Sequence, residues 1–142
     1  MTTLEQKVGI SFGSAILFAG INMPQTYGVS NSILNGVVGP LVKDGCPTHV
    51  GLLIHTLIFG LITFLTMGNI GKNTWLKVKY SFYGTLIFFL LSSQTVYSIV
   101  GRITGTSSKD GCPSVTGVLI HAVVYFMVLM AAMYFPNDTD LE

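Results

Sequence analysis

The chain has 142 residues, of which 50% are hydrophobic and only 9% are charged, and its formal net charge is +1. A soluble domain usually carries about 25% charged residues, so this composition argues against an ordinary soluble protein and favours a membrane protein. The small net charge, without a basic stripe, excludes a surface for nucleic acid.

Four apolar runs follow one another along the chain. They occupy residues 8–29, 50–67, 80–100 and 118–135. A helix that crosses a bilayer needs roughly 20 apolar residues, and these runs lack the strict alternation of barrel strands. The first run contains Pro24, which predicts a kink if the helix continues to residue 29. The sequence therefore predicts four membrane-spanning helices.

One sequence unit occurs twice. The first box, KDGCPTHVGLLIH (Lys43–His55), and the second box, KDGCPSVTGVLIH (Lys109–His121), are identical at nine of thirteen positions. Upstream, SFGSAILF matches SFYGTLIF, and Tyr27 corresponds to Tyr97. The first apolar run therefore has a counterpart in the third run. For that reason we expect a retained helix there rather than a cleaved signal peptide.

The repeat divides the whole chain. Repeat 1 covers residues 8–67, a linker 68–77, repeat 2 residues 78–135, and an acidic tail 136–142. Each repeat holds two predicted spans, so both have the same orientation and are related by an axis along the membrane normal. We predict a single all-α membrane domain, a four-helix bundle of two tandem two-helix repeats with pseudo-two-fold symmetry. Both boxes then lie on one side of the membrane.

The distribution of basic residues favours cytoplasmic termini. On the side of the termini and linker lie Lys7, Lys72, Lys77 and Lys79. On the side of the boxes lie Lys43, Arg102 and Lys109. Cytoplasmic segments carry the excess of lysine and arginine, so four residues against three predict termini in the cytoplasm.

Each box has features of a helix N-terminus. Pro47 and Pro113 suit the first helical turn, and Asp44 just before it complements the positive end of the helix dipole. Gly51 and Gly117 each precede a histidine by four residues and so share its helix face. A glycine on such a face predicts the close approach of another helix.

A histidine ends each box and is predicted to be buried. At about 1.5 Å per residue, it lies roughly 12 Å beyond the proline, within the apolar layer. A buried polar group needs a hydrogen-bond partner, and we expect amides and hydroxyls from the first and third spans. The members of this predicted polar layer are His55, His121, Gln94 with Ser92 and Ser93, Asn22 and Gln25.

The histidine pair also has functional interpretations. His55 and His121 could ligate one haem, or could relay protons or ions, because an intramembrane ionisable residue favours a functional role. A Cys₂His₂ zinc site fails on geometry, since Cys46 and His55 are about 13 Å apart along a helix and zinc ligands lie within about 2.3 Å of the metal. His49 has no counterpart in the second box and is expected at the surface.

Cys46 and Cys112 are the only two cysteines of the chain. They occupy equivalent positions on the same predicted side, so a disulfide across the axis forms if that side is oxidising. Two free thiols at the helix starts are the alternative. Without a C-x-x-C pair, a thiol oxidoreductase is not expected.

The doubled DGCP…G..IH pattern of the two boxes resembles small multi-span membrane proteins of large double-stranded DNA viruses. Such proteins lie in the internal membrane of the virion, beneath an icosahedral capsid. The resemblance implies a structural component whose loops or tail contact minor capsid proteins. It also implies a viral thiol oxidase, which would permit a disulfide even on a face derived from the cytoplasm.

The sequence thus predicts a structural or assembly protein of a membrane, without enzymatic activity, cofactor or metal. A small membrane redox or transport protein that uses the histidine pair is the alternative. The expected partners are the lipid bilayer, capsid or other membrane proteins, and a second copy of the chain. The expected contact surfaces are the loop from Gly28 to Pro40, the loop from Arg102 to Ser108, and the acidic tail.

Overall fold

Six helices and one small β-hairpin form the protein in the computed structural model, which describes residues 4–44, 46–67, 74–105, 112 and 114–134. The helices are α1 (Leu4–Asn22), α2 (Pro24–Val38), α3 (His49–Thr66), α4 (Thr74–Leu91), α5 (Gln94–Thr104) and α6 (Val115–Ala132). The hairpin consists of β1 (Val42–Lys43) and β2 (Cys46–Pro47). The prediction of a mostly helical protein is confirmed for these residues.

The first predicted span, 8–29, is divided into two helices. Helix α1 ends at Asn22 and α2 begins at Pro24. Met23 between them is non-helical, with φ −58° and ψ 139°. A residue before proline avoids the helical region, and proline itself suits the first position of a new helix. The predicted kink is therefore a complete break, after which the chain begins a second helix.

The third predicted span, 80–100, is divided in a similar way. Helix α4 ends at Leu91, α5 begins at Gln94, and the axes of the two helices differ by 66°. The Ser93 hydroxyl accepts a hydrogen bond from the N–H of Val96 and so caps the start of α5. Serine is among the strongest N-cap residues, so this break has a local cause without proline.

The segment from Gly28 to Pro40 was predicted as a loop, and that prediction is wrong, because most of it belongs to helix α2. Glycines at 28 and 36 each disfavour a helix by about 1 kcal/mol, yet the helix forms, and the buried Tyr27 anchors its first turn to the protein. The helix ends before Gly39, whose φ of 89° is a conformation that glycine adopts without strain.

The first box starts as a hairpin and not as a helical turn. Val42 pairs with Pro47 and Lys43 with Cys46, which leaves two residues between the strands. The first of these, Asp44, has φ 54°, the left-handed conformation that aspartate tolerates in such turns. The expectation that Pro47 occupies the first helical turn is therefore wrong, since the proline lies in β2.

A hydroxyl residue starts each long helix after a box. Thr48 accepts a hydrogen bond from the N–H of Gly51 at 3.1 Å, and Ser114 accepts one from the N–H of Gly117 at 3.1 Å. Both are N-caps in extended conformation, which is the usual way to pair a free N–H of the first turn. Pro113, the predicted start of the second helix, lies outside the described residues.

Helices α3 and α6 are each long and apolar enough to cross a membrane, and α4 with α5 would be a third span if the bent pair crosses as one. Apolar side chains point outward along α3 and α6. Between 60% and 65% of the surface is exposed in Leu57, Leu61, Leu65, Val123 and Met127. Soluble monomers rarely present so much continuous apolar surface, so these helices are compatible with a membrane location.

The core lies among α1, α3, α4 and α6. Helix α1 packs along α6 and touches α3, whereas α4 packs along α3 and touches α6. Each of the four helices contributes at least one fully buried aromatic ring. Phe18 stacks on Tyr125 with ring centroids 4.9 Å apart, and Phe59 stacks on Phe88 at 4.5 Å. The stacks join α1 to α6 and α3 to α4, and edge-to-face contacts of the same four rings join the two pairs of helices.

Serine–methionine contacts mark the end of the protein that lies away from the boxes. The Ser11 hydroxyl of α1 donates to the sulfur of Met133, just after α6, at 3.6 Å. The Ser81 hydroxyl of α4 donates to the sulfur of Met67, just after α3, at 3.6 Å. The first half of α1 therefore lies beside the end of α6, and the first half of α4 lies beside the end of α3.

Several predicted connecting segments are helical or fall outside the described residues. Residues 74–77 of the predicted linker belong to α4, and Trp75 is exposed there. The first six residues of that linker, 68–73, are outside the described part, as are residues 106–108 of the second predicted loop and the acidic tail 136–142. Arg102 belongs to the last turn of α5.

Candidate functional site

Each box histidine stacks face to face on a tyrosine. The ring centroids of Tyr27 and His55 are 3.9 Å apart, with the rings 7° from parallel. Those of Tyr97 and His121 are 3.8 Å apart, again at 7°. All four side chains are at most 2% exposed. Since the tyrosines belong to α2 and α5 and the histidines to α3 and α6, each stack fixes a short helix on a long one.

Each histidine also binds the end of an earlier long helix. Nδ1 of His55 lies 3.0 Å from the carbonyl oxygen of Ile21 in α1, and Nδ1 of His121 lies 3.0 Å from that of Leu91 in α4. A carbonyl can only accept, so Nδ1 carries the proton in both rings. The last carbonyls of a helix lack partners within it. The histidines therefore cap α1 and α4 at the points where the two predicted spans break.

The two histidines differ at the second ring nitrogen. Nε2 of His55 lies 2.9 Å from the hydroxyl oxygen of Ser30. With the proton on Nδ1, a neutral ring accepts at Nε2, so Ser30 donates. The corresponding residue of the second unit is Val100, which has no hydroxyl. Nε2 is the atom left for a metal when Nδ1 is hydrogen-bonded, so the bond from Ser30 argues against haem ligation by His55.

Part of the predicted polar layer joins the two units. Nδ2 of Asn22 donates to the hydroxyl oxygen of Ser92 at 2.8 Å, and both side chains are buried. Asn22 is the last residue of α1, and Ser92 directly follows α4. The layer is therefore formed by side chains at the two helix breaks, with the histidines bound to backbone carbonyls rather than to the expected amides.

Three predicted members of the layer lie elsewhere. Gln25 and Gln94 are exposed, and Nε2 of Gln94 donates to the carbonyl of Pro47 at 3.4 Å. Ser93 serves as the N-cap of α5. The prediction assumed continuous helices, and it is wrong for these residues because each break redirects the side chains that follow it.

Cys46 and Cys112 are joined by a disulfide, with their Cα atoms 4.9 Å apart. Of the two alternatives that the sequence left open, the structure contains the bonded pair. Cys46 belongs to β2 before α3, and Cys112 lies shortly before α6. The bond therefore holds the N-terminal ends of α3 and α6 together and closes a loop over a sequence separation of 66 residues.

The two box glycines permit close approach, but not of the predicted helix. A Cβ at Gly51 would collide with the backbone of Leu41, in the segment before β1. A Cβ at Gly117 would lie 3.1 Å from Oγ of Ser114, the N-cap of its own helix, and in ordinary contact, at 3.7 Å, with the ring of Tyr97 in α5. Gly51 thus admits the loop that precedes its box, whereas Gly117 leaves room for the cap of its own helix. The prediction that another helix approaches closely at Gly51 is wrong.

Close contacts between long helices occur at two other glycines, which the sequence reading missed. A Cβ at Gly60 in α3 would lie 2.7 Å from Oγ1 of Thr85 in α4. The carbonyl of Gly84 accepts a hydrogen bond from the hydroxyl of Tyr125 at 3.1 Å. Neither glycine recurs in the other unit, so the repeat did not draw attention to them. A small residue inside a run of bulky apolar ones is the signal that would have found them.

Two tyrosines and one serine are further missed members of the site. Tyr27 and Tyr97 recur at equivalent positions, and this recurrence was a usable signal for a shared role. Ser30 has no counterpart and gives no such signal. His49 is exposed at the start of α3, as expected. Among the residues that the structure describes, no group of three or more His, Cys, Asp or Glu side chains could hold a metal ion.

No protein family, curated protein or solved structure matches this chain. The function is therefore inferred from the contacts of the chain itself. Those contacts place both histidines and both cysteines in bonds that hold one part of the chain to another.

Proposed function

We propose that this chain is an integral membrane protein with an architectural role and no catalytic activity. The observation that carries the proposal is the use of its reactive side chains. His55 and His121 each join three helices through a ring stack and a helix cap, and Cys46 and Cys112 are joined to each other. Side chains that serve catalysis need an open position for a substrate or metal, and these are engaged in internal contacts.

The proposed body has four membrane helices. Because the disulfide holds the starts of α3 and α6 together, both helices enter the membrane from the same side. If α3 crosses, the chain must return before α6 begins, and the pair of α4 and α5 is the segment available for that return. Helix α1 is proposed as the fourth, since it runs beside α6 from Met133 to the level of His55.

We further propose that the two repeats are related by a pseudo-two-fold axis along the membrane normal. Support comes from pairs of equal contacts in the two units. The tyrosine–histidine stacks, the histidine caps and the hydroxyl N-caps each occur once in each unit. The serine–methionine contacts form an equivalent pair between the units, from Ser11 to Met133 and from Ser81 to Met67. Two bonds, Asn22 to Ser92 and Cys46 to Cys112, connect equivalent positions of the two units.

Introduced cysteines test the number of crossings. Both native cysteines are paired, so Lys43→Cys, Thr74→Cys or Arg102→Cys supplies a single free thiol at an exposed position. A membrane-impermeant maleimide added to sealed vesicles should label positions 43 and 102 from one side and position 74 from the other. Cytoplasmic termini predict that position 74 is on the cytoplasmic side. If positions 74 and 102 label from the same side, α4 and α5 re-enter, and the four-helix proposal fails.

A viral location is the most specific part of the proposal, and its support is the resemblance of the two boxes. We propose that the protein lies in the internal membrane of a large double-stranded DNA virus and contacts capsid proteins. An antibody against the chain should detect it in purified virions, in the fraction that detergent releases only after the capsid is opened. Detection in host membranes with none in virions would refute the viral location and leave the architectural role standing.

A variant of both histidines tests the architectural role itself. The double variant His55→Leu, His121→Leu keeps a buried, apolar side chain at each position but removes both helix caps and both imidazole stacks. We expect the double variant to lose thermal stability and protease resistance in detergent, and reconstituted parent protein to show no haem absorption. A double variant that matches the parent in stability would refute a packing role for the pair.

A further inference from the structure

A groove of about 660 Å³ lies between α1 and α3, at the end of the protein away from the boxes. It follows α1 from Gln6 to Leu17, and Ile62 of α3 lines its other wall. Gly9 and Gly13 of α1 also line it, and a Cβ at either position would meet no atom of the described residues within 4 Å. The groove is therefore open partly because two residues of α1 have no side chain.

The equivalent place in the second unit is filled by side chains of the protein itself. In the register that matches SFGSAILF with SFYGTLIF, Gly9 and Gly13 correspond to Lys79 and Tyr83 of α4. Nζ of Lys79 donates to the carbonyl of Met133, just after α6, at 3.4 Å, and lies 5.8 Å from the centre of the Tyr83 ring. Lys79 therefore crosses from α4 to the end of α6 beside a tyrosine ring, whereas the first unit has two glycines and a groove.

The groove is apolar along most of its length and polar at one end. Of the hydroxyl residues along its length, Thr63 donates to the carbonyl of Phe59, and Ser14 is only 7% exposed. Gln6 and Thr66 lie at the outer end of the groove, since α1 begins and α3 ends there. An occupant with an apolar body and one polar end fits this lining, as the apolar stem and charged tip of a lysine fit the second unit.

The size of the groove distinguishes a hydrocarbon chain from a helix. A volume of about 660 Å³ over roughly 17 Å of helix length gives a mean cross-section of about 40 Å². An α-helix with its side chains has a diameter of about 10 Å, and so a cross-section of about 80 Å². A helix from a second copy or from another protein therefore enters the groove only in part, whereas an extended acyl chain, which is thinner, enters it fully.

We propose that this groove holds an acyl chain of a membrane phospholipid, whose headgroup lies at the outer end beside Gln6 and Thr66. A void beside Gly9 and Gly13 would forfeit dispersion contacts, and the acyl chain supplies them. This lipid site rests on the proposed membrane location, because the bilayer is the source of the lipid. It is independent of the viral location.

Photo-cross-linking of the full chain tests the lipid site. The protein is reconstituted into phosphatidylcholine vesicles that contain a small share of phosphatidylcholine with a diazirine in one acyl chain, and mass spectrometry locates the cross-links. We expect cross-links at Ile10 and Ile62, which are half-buried in the groove. Gly13→Tyr copies Tyr83 and should lower them roughly tenfold, the effect of an ordinary steric clash on a binding equilibrium. Gly20→Tyr, on the same helix but outside the groove lining, is the matched control and should leave them unchanged.

A second variant makes the test independent of one substitution. Gly9→Leu narrows the groove from another position and should reduce the same cross-links. Near-UV circular dichroism confirms that each variant keeps the aromatic core of the parent. Labelling at Ile10 and Ile62 that is equal in the parent and in both variants would overturn the lipid site.

Two further results separate the other occupants and the membrane location. Since the native cysteines are paired, a Gly13→Cys variant that oxidises mostly to a dimer in vesicles places a second copy in the groove, and the lipid site fails. Labelling of the exposed Val123 in α6 without labelling of Ile10 and Ile62 means that the protein is in the bilayer and that the groove holds no lipid chain. If Val123 is also unlabelled, the proposed membrane location fails as well.

Discussion

Loss of the disulfide should destabilise the protein more than loss of any single hydrogen bond. The perturbation is the double variant Cys46→Ser and Cys112→Ser, which keeps both side chains small and polar. The bond joins the starts of α3 and α6 and crosses between the two units, so nothing else in the chain replaces its covalent constraint. We expect the native arrangement of helices to persist, since the stacks and the aromatic core remain.

The size of the effect follows from the loop that the bond closes. For a sequence separation of 66 residues, the loop-closure relation gives an entropy of about 15 cal/mol/K, or about 4 kcal/mol at 25 °C. That relation assumes a freely flexible unfolded chain. Helices that stay formed in the membrane reduce the freedom which the bond removes, so we expect a loss of about 2–4 kcal/mol in the free energy of unfolding.

Near-UV circular dichroism of the buried aromatic rings provides the assay, during reversible titration of detergent-solubilised protein with SDS. The parent treated with reductant should unfold at the same SDS fraction as the double variant, and the variant should not respond to reductant. If the free energies of unfolding of the parent and the variant differ by less than about 0.5 kcal/mol, closing this loop does not stabilise the protein. Alkylation of both cysteines in unreduced parent protein would refute the bond itself.

Three further sets of substitutions have distinct expectations for the free energy of unfolding, each checked in the same titration. Asn22→Leu and Ser92→Ala should each cost about 0.6–1.7 kcal/mol, and the pair no more than the larger single cost; additive costs would contradict a bond between them. Gly84→Ala should cost about 1–3 kcal/mol because its Cβ would lie 2.9 Å from a tyrosine hydroxyl, whereas the control Gly13→Ala, with no atom within 4 Å, should be neutral or stabilising. Ser114→Ala should cost about 1 kcal/mol through the lost N-cap, and Ser114→Thr should restore it; equal stability of Ala and Thr variants would exclude the cap.

The sequence predicted well where a local property decides the structure. Hydropathy indicated α3 and α6 within a few residues of their ends, and Pro24 indicated a distortion at the point where α1 ends. Recurrence of the boxes placed the two cysteines at equivalent positions and left their bonding as one of two alternatives. Burial of His55 and His121 followed from their depth in an apolar helix, and both are 1% exposed.

The sequence predictions were wrong where they named the tertiary hydrogen-bond partner of a side chain. Gln94 was expected to face the histidines, but the break at Ser93 turns α5 by 66° and leaves Gln94 at the surface. The histidines were expected to bind amides, but the same breaks free the carbonyls of Ile21 and Leu91, which the histidines bind instead. The break at Pro24, predicted only as a kink, and the break at Ser93, which was overlooked, therefore changed these contacts.

The sequence by itself determined the helical content, the apolar character of the long helices, the duplication and a distortion at Pro24. These are properties of a residue and its near neighbours, so they can be read without knowing how the chain packs. Tertiary structure alone decided which groups meet: tyrosine on histidine, histidine on a helix end, Asn22 on Ser92, and cysteine on cysteine. The physical reason is that successive residues of a helix point about 100° apart, so each break changes every contact that follows it.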